Sequence, residues 1–184
     1  MLKEGEISLR AIGPDDRALL VRWQSDPAIM RGWGLPQPLL PHDAFCGDLN
    51  DRFTRFDVAG DFLIVAPVGP VGRIFFTGLE SRHRCAQIGL YVGETGQQGK
   101  GYGGAAIKAL VRYLVHQRDV HRIELTTLTW NAKAHRLYTR LGFQDEGLLR
   151  EYLNFDGEWH GEMQMSLLAT DPIPWLAKPV TAQN

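Results

Sequence analysis

The segment Gln98-Gly99-Lys100-Gly101-Tyr102-Gly103-Gly104 offers the plainest chemistry in the chain. Small residues in succession leave main-chain N–H groups uncovered. The helix that starts just after them adds roughly half a positive charge from its aligned peptide dipoles. Together these form a receptor for a phosphate or diphosphate that needs no basic side chain, with Lys100 at its rim. Three other readings of the segment stand beside this one. It fits a turn that merely allows tight strand–helix packing. It fails the nucleoside-triphosphate loop pattern twice, because Glu occupies position 94 and Gly101 follows Lys100. It matches a dinucleotide fingerprint through Gly99, Gly101 and Gly104, with Glu124 about 20 residues further on. Against that rival, the motif lies mid-chain after a hairpin, and a single strand–helix unit follows it.

The elements that must hold this turn are legible on either side. Ile7, Leu9 and Ala11 alternate as in a strand, and Pro14-Asp15-Asp16 opens a helix carrying Ala18, Leu19, Arg22 and Trp23. Arg31 to Pro41 holds two glycines and three prolines and reads as a loop, with a helix expected near His42–Phe53. Phe62–Ala66 and Val71–Leu79 read as a hairpin about Pro67-Val68-Gly69-Pro70, and Arg84–Val92 as a further strand. Gly96–Gly104 is the glycine-rich turn. From Ala105 the pattern becomes helical, with Ile107, Leu110, Val111 and Leu114 on one face. Arg122–Leu128 reads as a buried strand. Asn131 caps a second helix whose apolar face is Ala134, Leu137, Tyr138 and Leu141, and Gly142 ends it. Phe143–Leu153 and Trp159–Leu168 close the domain around a turn at Asp156-Gly157. The tail from Asp171 reads as irregular. This order is that of a mixed α+β domain, with a parallel pair formed by the strand–helix–strand unit of residues 84–128.

Composition narrows the setting. A length of 184 residues suits one domain, 1–184, with its core at about 6–170. A formal net charge of −1 gives no global attraction to nucleic acid or anionic lipid, so neither is an expected partner. Cys46 and Cys85 show no metal-ligand or redox spacing and read as reduced thiols. The N-terminus lacks the apolar run of a signal peptide, and no stretch approaches the ~20 apolar residues of a membrane span. A cytoplasmic location is the expectation. The six histidines, His116, His121 and His135 among them, have no metal-site spacing, and no metal is expected.

Two blocks together resemble the GCN5-related N-acetyltransferase superfamily. Its diphosphate loop, Gln/Arg-x-x-Gly-x-Gly/Ala, is matched by Gln98, Gly101 and Gly103. Its next signature, Asn-x-x-Ala-x-x-x-Tyr-x-x-x-Gly-Phe, is matched by Asn131, Ala134, Tyr138, Gly142 and Phe143. The stretch Glu146–Glu151, with Asp156-Gly157-Glu158, is similar to the subgroup of ribosomal-protein N-terminal and spermidine acetyltransferases. The resemblance implies a mostly antiparallel sheet of about seven strands with a central splayed parallel pair, flanked by about four helices. It also implies acetyl-CoA as cosubstrate and direct transfer in a ternary complex.

On that resemblance the site residues follow. The backbone of Gln98, Gly99, Lys100, Gly101, Tyr102, Gly103 and Gly104 would hold the CoA diphosphate. Main-chain groups at Leu90, Tyr91 and Val92 would bond the pantetheine arm, with an N–H near residue 91 or 92 facing the oxyanion. Asn131 would touch that arm or order the turn, and Tyr138 would reprotonate the departing thiolate. Many relatives carry a Glu where this chain has Gln87, which can only orient a water or the substrate. Glu94 is the expected base, with Glu80, Glu124, Glu151 and His83 as alternatives. Trp23, Trp33, Phe45 and Tyr152 would wall the acceptor site. Arg31 to Leu40 holds no carboxylate, which disfavours a polyamine and leaves a peptide N-terminus or a small amine as the partner. A homodimer is compatible with the family. The competing function is a non-catalytic acyl-CoA-binding sensor.

Overall fold

The computed structural model describes residues 1–34 and 59–177. The helix expected near His42–Phe53, and with it Phe45 and Cys46, lies outside the described residues. One sheet of eight strands organises the rest: β1 (Leu2–Glu4), β2 (Ile7–Ala11), β3 (Gly60–Ala66), β4 (Gly69–Glu80), β5 (Cys85–Val92), β6 (Arg122–Leu128), β7 (Gln144–Phe155) and β8 (Glu158–Leu168). Their spatial order is β1-β2-β3-β4-β5-β6-β8-β7, and β5–β6 is the parallel pair. The described helices are α1 (Arg17–Gln24), α2 (Pro27–Arg31), α3 (Tyr102–Gln117) and α4 (Ala132–Leu141). No described helix is long and apolar enough to cross a membrane.

Most departures from the expected elements have local causes. β1 is the additional strand; Leu2 alone gives it no readable alternation, and it exists because it pairs with β2 across a turn with Gly5 at φ 55°. Pro14–Asp16 is a 3-10 turn rather than the first turn of α1. There the Asp16 carboxylate accepts from Gly13 N at 2.8 Å and binds the Arg10 guanidinium. The five-residue α2 lies between the expected first helix and the expected loop, in a stretch assigned to no element. Its start is nonetheless written locally, since Asp26 accepts from Ala28 N at 2.8 Å and Pro27 opens the helix. α3 begins at Tyr102 instead of Ala105, so Gly103 and Gly104 lie inside it. Tertiary contact overrides their low helix propensity: a Cβ at Gly104 would stand 3.3 Å from Leu137 of α4, and one at Gly103 would stand 3.5 Å from Leu90 of β5.

Both faces of the sheet are covered. Ala106, Ile107, Leu110 and Leu114 of α3 pack on Ile64, Ile74, Phe76, Ile88 and Ile123, and Tyr138 and Leu141 of α4 extend that cluster. Each leucine, isoleucine or phenylalanine among them contributes roughly 1.5–3 kcal/mol by burial. On the opposite face, Leu20 and Trp23 of α1 and Ile29 of α2 pack on Leu63 and Tyr91. Residues 169–177, after β8, are irregular, as expected, yet they are pinned. Trp175 Nε1 donates to Leu141 O at 3.2 Å, Arg112 Nε donates to Trp175 O at 2.8 Å, and Leu176 is buried.

Between the α1 face and the sheet lies one buried ion pair, Arg73 of β4 with Asp61 of β3, bonded through Nε to Oδ1 at 2.8 Å and through a second contact. Phe75 shields it, its ring 5.0 Å from the guanidinium. Removing one partner of a buried pair leaves the other charge without compensation. Asp61→Ala is therefore expected to lower unfolding free energy by about 3–5 kcal/mol, read from urea denaturation.

Candidate active site

β5 and β6 pair only at Cys85↔Arg122, Ala86↔Ile123 and Gln87↔Glu124. β5 continues to Val92 and β6 to Leu128, so from Ile88 and Leu125 onward their facing edges part. Each stays straight because its other edge is held: β5 by β4 as far as Gly72↔Val92, β6 by β8 as far as Leu128↔Glu162. The result is a wedge lined by peptide groups that do not bond one another. The hydroxyl of Thr127, on the unpaired length of β6, is buried without a hydrogen-bond partner.

The glycine-rich loop closes over the mouth of this wedge. Gln97 N donates to Glu94 O at 2.8 Å and Gln98 N to Thr95 O at 3.2 Å. The Gln98 side chain donates to Val92 O at 3.0 Å, and Lys100 Nζ to Gln97 Oε1 at 2.8 Å. Gln98 thus ties the loop to the end of β5, its own amide already occupied, which corrects the expectation that its backbone joins the receptor. Past it, Gly99 and Gly101 stand at φ 81° and 85°. The amides of residues 99–104 have no acceptor among the described residues. A Cβ at Gly101 would meet nothing within 4 Å, so the space before these amides is open.

Other expected residues take varied places. Asn131 Oδ1 accepts from Ala134 N at 3.1 Å and caps α4. Tyr138, one helical stripe along, is buried, and burial pushes its phenol up to about 12. Its hydroxyl has no hydrogen-bond partner among the described residues. Leu90, Tyr91 and Val92 lie on the unpaired length of β5. The Tyr91 ring faces α1, where its hydroxyl is buried without a partner and burial raises its proton affinity. Gln87 is exposed at the closed end of the wedge.

The acceptor walls need correction. Trp23 is buried at 1% exposure and cannot face a ligand. Its ring fills the space against Gly93, where a Cβ would come within 2.3 Å, and its Nε1 donates to Glu94 Oε1 at 2.9 Å. Glu94 also binds Arg22. These two donors hold the Glu94 carboxylate below its ordinary range and weaken it as a base. Trp33 is 38% exposed, stacked on Phe75 at 5.7 Å and edge-on to Tyr91 at 6.2 Å. Tyr152 lies exposed on the outermost strand, where the β7–β8 register slips between Leu149 and Leu153. The β7 residue that approaches the Trp33 turn is Leu153, 3.2 Å from a Cβ at Gly34.

Of the alternative bases, Glu80, His83 and Glu124 have structural partners, whereas Glu151 is exposed on β7 at φ 51°. Glu80 accepts from Arg82 N and His83 N in a turn. Glu124 and Glu146 share Arg122, and Ser166 Oγ donates to Glu146 at 2.7 Å. The ion pair accounts for Glu124, which the dinucleotide reading required as a ribose ligand. A sheet with one parallel pair also lacks the repeated parallel crossovers of a doubly wound fold. No group of three or more His, Cys, Asp or Glu able to hold a metal occurs among the described residues.

Residues 6–144 match the family described as the acetyltransferase (GNAT) domain, and the chain belongs to that family. It is 34% identical over 94 residues to the [ribosomal protein uS5]-alanine N-acetyltransferase of Escherichia coli (strain K12), a match covering 51% of this chain and 47% of that one. The chain thus spans about half the length of the first curated relatives it matches. A longer match, 31% identical over 165 residues, covers 88% of this chain and 92% of the uncharacterized N-acetyltransferase p20 of Bacillus licheniformis. In fold the chain is similar to the Vibrio cholerae spermidine N-acetyltransferase crystallised with CoA and spermine. The TM-score is 0.81 at 23% identity, over 89% of this chain and 96% of that one.

The Arg122 cluster makes acid stability predictable. Arg122, then Ser166, hold Glu146 down to about 2 against an ordinary 4.5. A depressed carboxylate contributes stability that is complete above its unfolded value and lost as pH falls through the folded one. Urea melts from pH 5 down to about 2 are expected to show wild-type stability falling across that window. Glu146→Gln should flatten this fall.

Proposed function

We propose that the chain transfers an acetyl group from acetyl-CoA to the α-amine of a peptide N-terminus, with both substrates bound together. The observation that carries this is the wedge between β5 and β6 opening directly beneath the unoccupied amides of residues 99–104. A diphosphate suits those amides at the start of α3, with Lys100 adding charge at the rim. A pantetheine arm suits the main-chain groups that β5 leaves unbonded on its β6 side between Leu90 and Val92, Val92 O being taken by Gln98, and the orphaned Thr127 hydroxyl fits a carbonyl of the same arm. Acetyl-CoA supplies the activated acyl carbon and a thiolate leaving group.

The chain's own residues do the rest. An amide N–H at residue 91 or 92 stabilises the developing oxyanion. Tyr138, held in place because Asn131 caps its helix, keeps its proton at neutral pH and offers it to the leaving sulfur. A phenol near 12 and a thiol near 8.5 differ by about 3–4 units, or about 5 kcal/mol, so outright donation is uphill. Tyr138 therefore acts first as a hydrogen-bond donor to sulfur. It passes its proton on only as the attacking nitrogen returns one, so the proton gained by sulfur is the one lost by the amine.

The acceptor class follows from the weakness of the bases. Glu94, with its carboxylate tied to Arg22 and Trp23, serves as a clamp between α1 and the loop. An α-amine is roughly one-tenth neutral at pH 7 and a lysine-like amine about 0.04%, so the α-amine reacts with little help from the protein. The absence of carboxylates from Arg31 to Leu40 points the same way.

With saturating acetyl-CoA, kcat/KM for a peptide α-amine is expected to rise about tenfold per pH unit and level off near 8. It should exceed that for spermidine at pH 7. Binding of acetyl-CoA without turnover of any amine would identify a sensor instead. Tyr138→Phe is expected to lower kcat by about 10²–10⁴ while leaving acetyl-CoA affinity within about twofold, read from steady-state kinetics and calorimetry.

A further inference from the structure

The acceptor's charge needs a counterpart, and the clamped Glu94 does not provide one. Strand alternation locates another carboxylate. Along β8, Met163, Met165 and Leu167 point into the α3–α4 core. Glu162, Gln164 and Ser166 therefore point to the opposite face, toward Trp33. Glu162 stands directly opposite Leu128 of β6 and Leu149 of β7. Side chains so paired lie about 4.5–5.5 Å apart at Cβ. Leu128 ends the unpaired length of β6, and its Cδ1 would stand 3.4 Å from a Cβ at Gly34, beside Trp33. Glu162 thus sits at the open mouth of the wedge, on the side away from the glycine-rich loop.

Its environment sets it apart from the other described acids on this face. Asp61 is paired with Arg73, and Glu124 and Glu146 with Arg122. Glu158 lies 3.8 Å from His160, whose ring meets Trp130 edge-on. The nearby cation Arg31 lies over the Phe155 ring. Glu162 is half-buried between two leucines and makes no hydrogen bond or ion pair among the described residues. A carboxylate partly removed from water and left unpaired favours a cation that arrives with a ligand.

We infer that Glu162 receives the ammonium group of the acceptor at the mouth of the wedge. This rests on the acetyl-transfer reading and adds to it the residue that selects a cationic amine. Glu162 is a binding residue rather than the base. The amine, near 8, keeps its proton in the pair and reacts in the fraction of time it is neutral. Pairing with Glu162 therefore tightens binding while raising the bound amine's own pKa.

Steady-state kinetics with acetyl-CoA and a short peptide bearing a free α-amine test this in the full chain. Glu162→Gln should raise the peptide KM by about tenfold or more and leave the acetyl-CoA KM within about twofold. It should also move the midpoint of the kcat–pH profile to lower pH, a shift that simple loss of packing would not cause. Glu162→Asp should restore much of the peptide KM. Should Glu162→Gln not fold, a wild-type measurement decides: a peptide with hydroxyl in place of its α-amine should bind about tenfold or more weaker than the amine. Transfer with an unchanged peptide KM, an equal rise in both KM values, or equal binding of the hydroxyl peptide overturns the role of Glu162 alone. Absence of transfer to any α-amine by wild type overturns the acetyl-transfer reading as well.

Discussion

The structure depends on two parallel strands that cannot stay together. β5 and β6 share three residue pairs and then part, while each remains bonded to an antiparallel neighbour on its outer side. A parted pair normally leaves unsatisfied peptide groups that a protein avoids burying. Here they line a cleft, and the antiparallel partners prevent it from collapsing. The wedge is thus a property of the whole sheet: β4 and β8 hold it open, and nothing within β5 or β6 alone would.

The loop above the wedge is built on the same principle of groups kept from pairing internally. Left-handed Gly99 and Gly101 turn the chain so that successive amides face outward at the start of α3. Gln98, bonded to Val92 O, keeps that turn in register with the strand beneath it. Trp23 against Gly93, and Glu94 against Arg22 and Trp23, brace the loop from the α1 side. Residues that resemble chemistry in the sequence are here scaffolding for main-chain atoms.

Electrostatics divides the two faces of the sheet. On the face toward α3 and α4 burial is almost wholly apolar, and it holds the Tyr138 phenol in its protonated form. On the opposite face charges are numerous but mostly neutralised in pairs, Arg73 with Asp61 and Arg122 with Glu124 and Glu146. Among the described residues the acids of this face are mostly matched, and the unmatched carboxylate of Glu162 suits a single amine.

Much of this was legible residue by residue. β6 runs from Arg122 to Leu128 as its β-branched, leucine-rich run indicated. Asn131 and Gly142 bound α4 as cap and left-handed terminator, and Asp156-Gly157, both at positive φ, turn the last hairpin. These are local signals, since backbone preference and side-chain capping act within a few residues. The loop's ability to expose amides was likewise written in its glycines. What the sequence could not say is which groups would find partners. Trp23 looked available to a ligand until Gly93 came to lie against it. Glu94 looked like a base until Arg22 and Trp23, more than seventy positions away in the chain, bound it. Glu162 drew no notice because its isolation exists only once Leu128 and Leu149 flank it in the sheet. Conformation is set by near neighbours along the chain, whereas the charge and exposure of a side chain are set by whatever the fold brings against it.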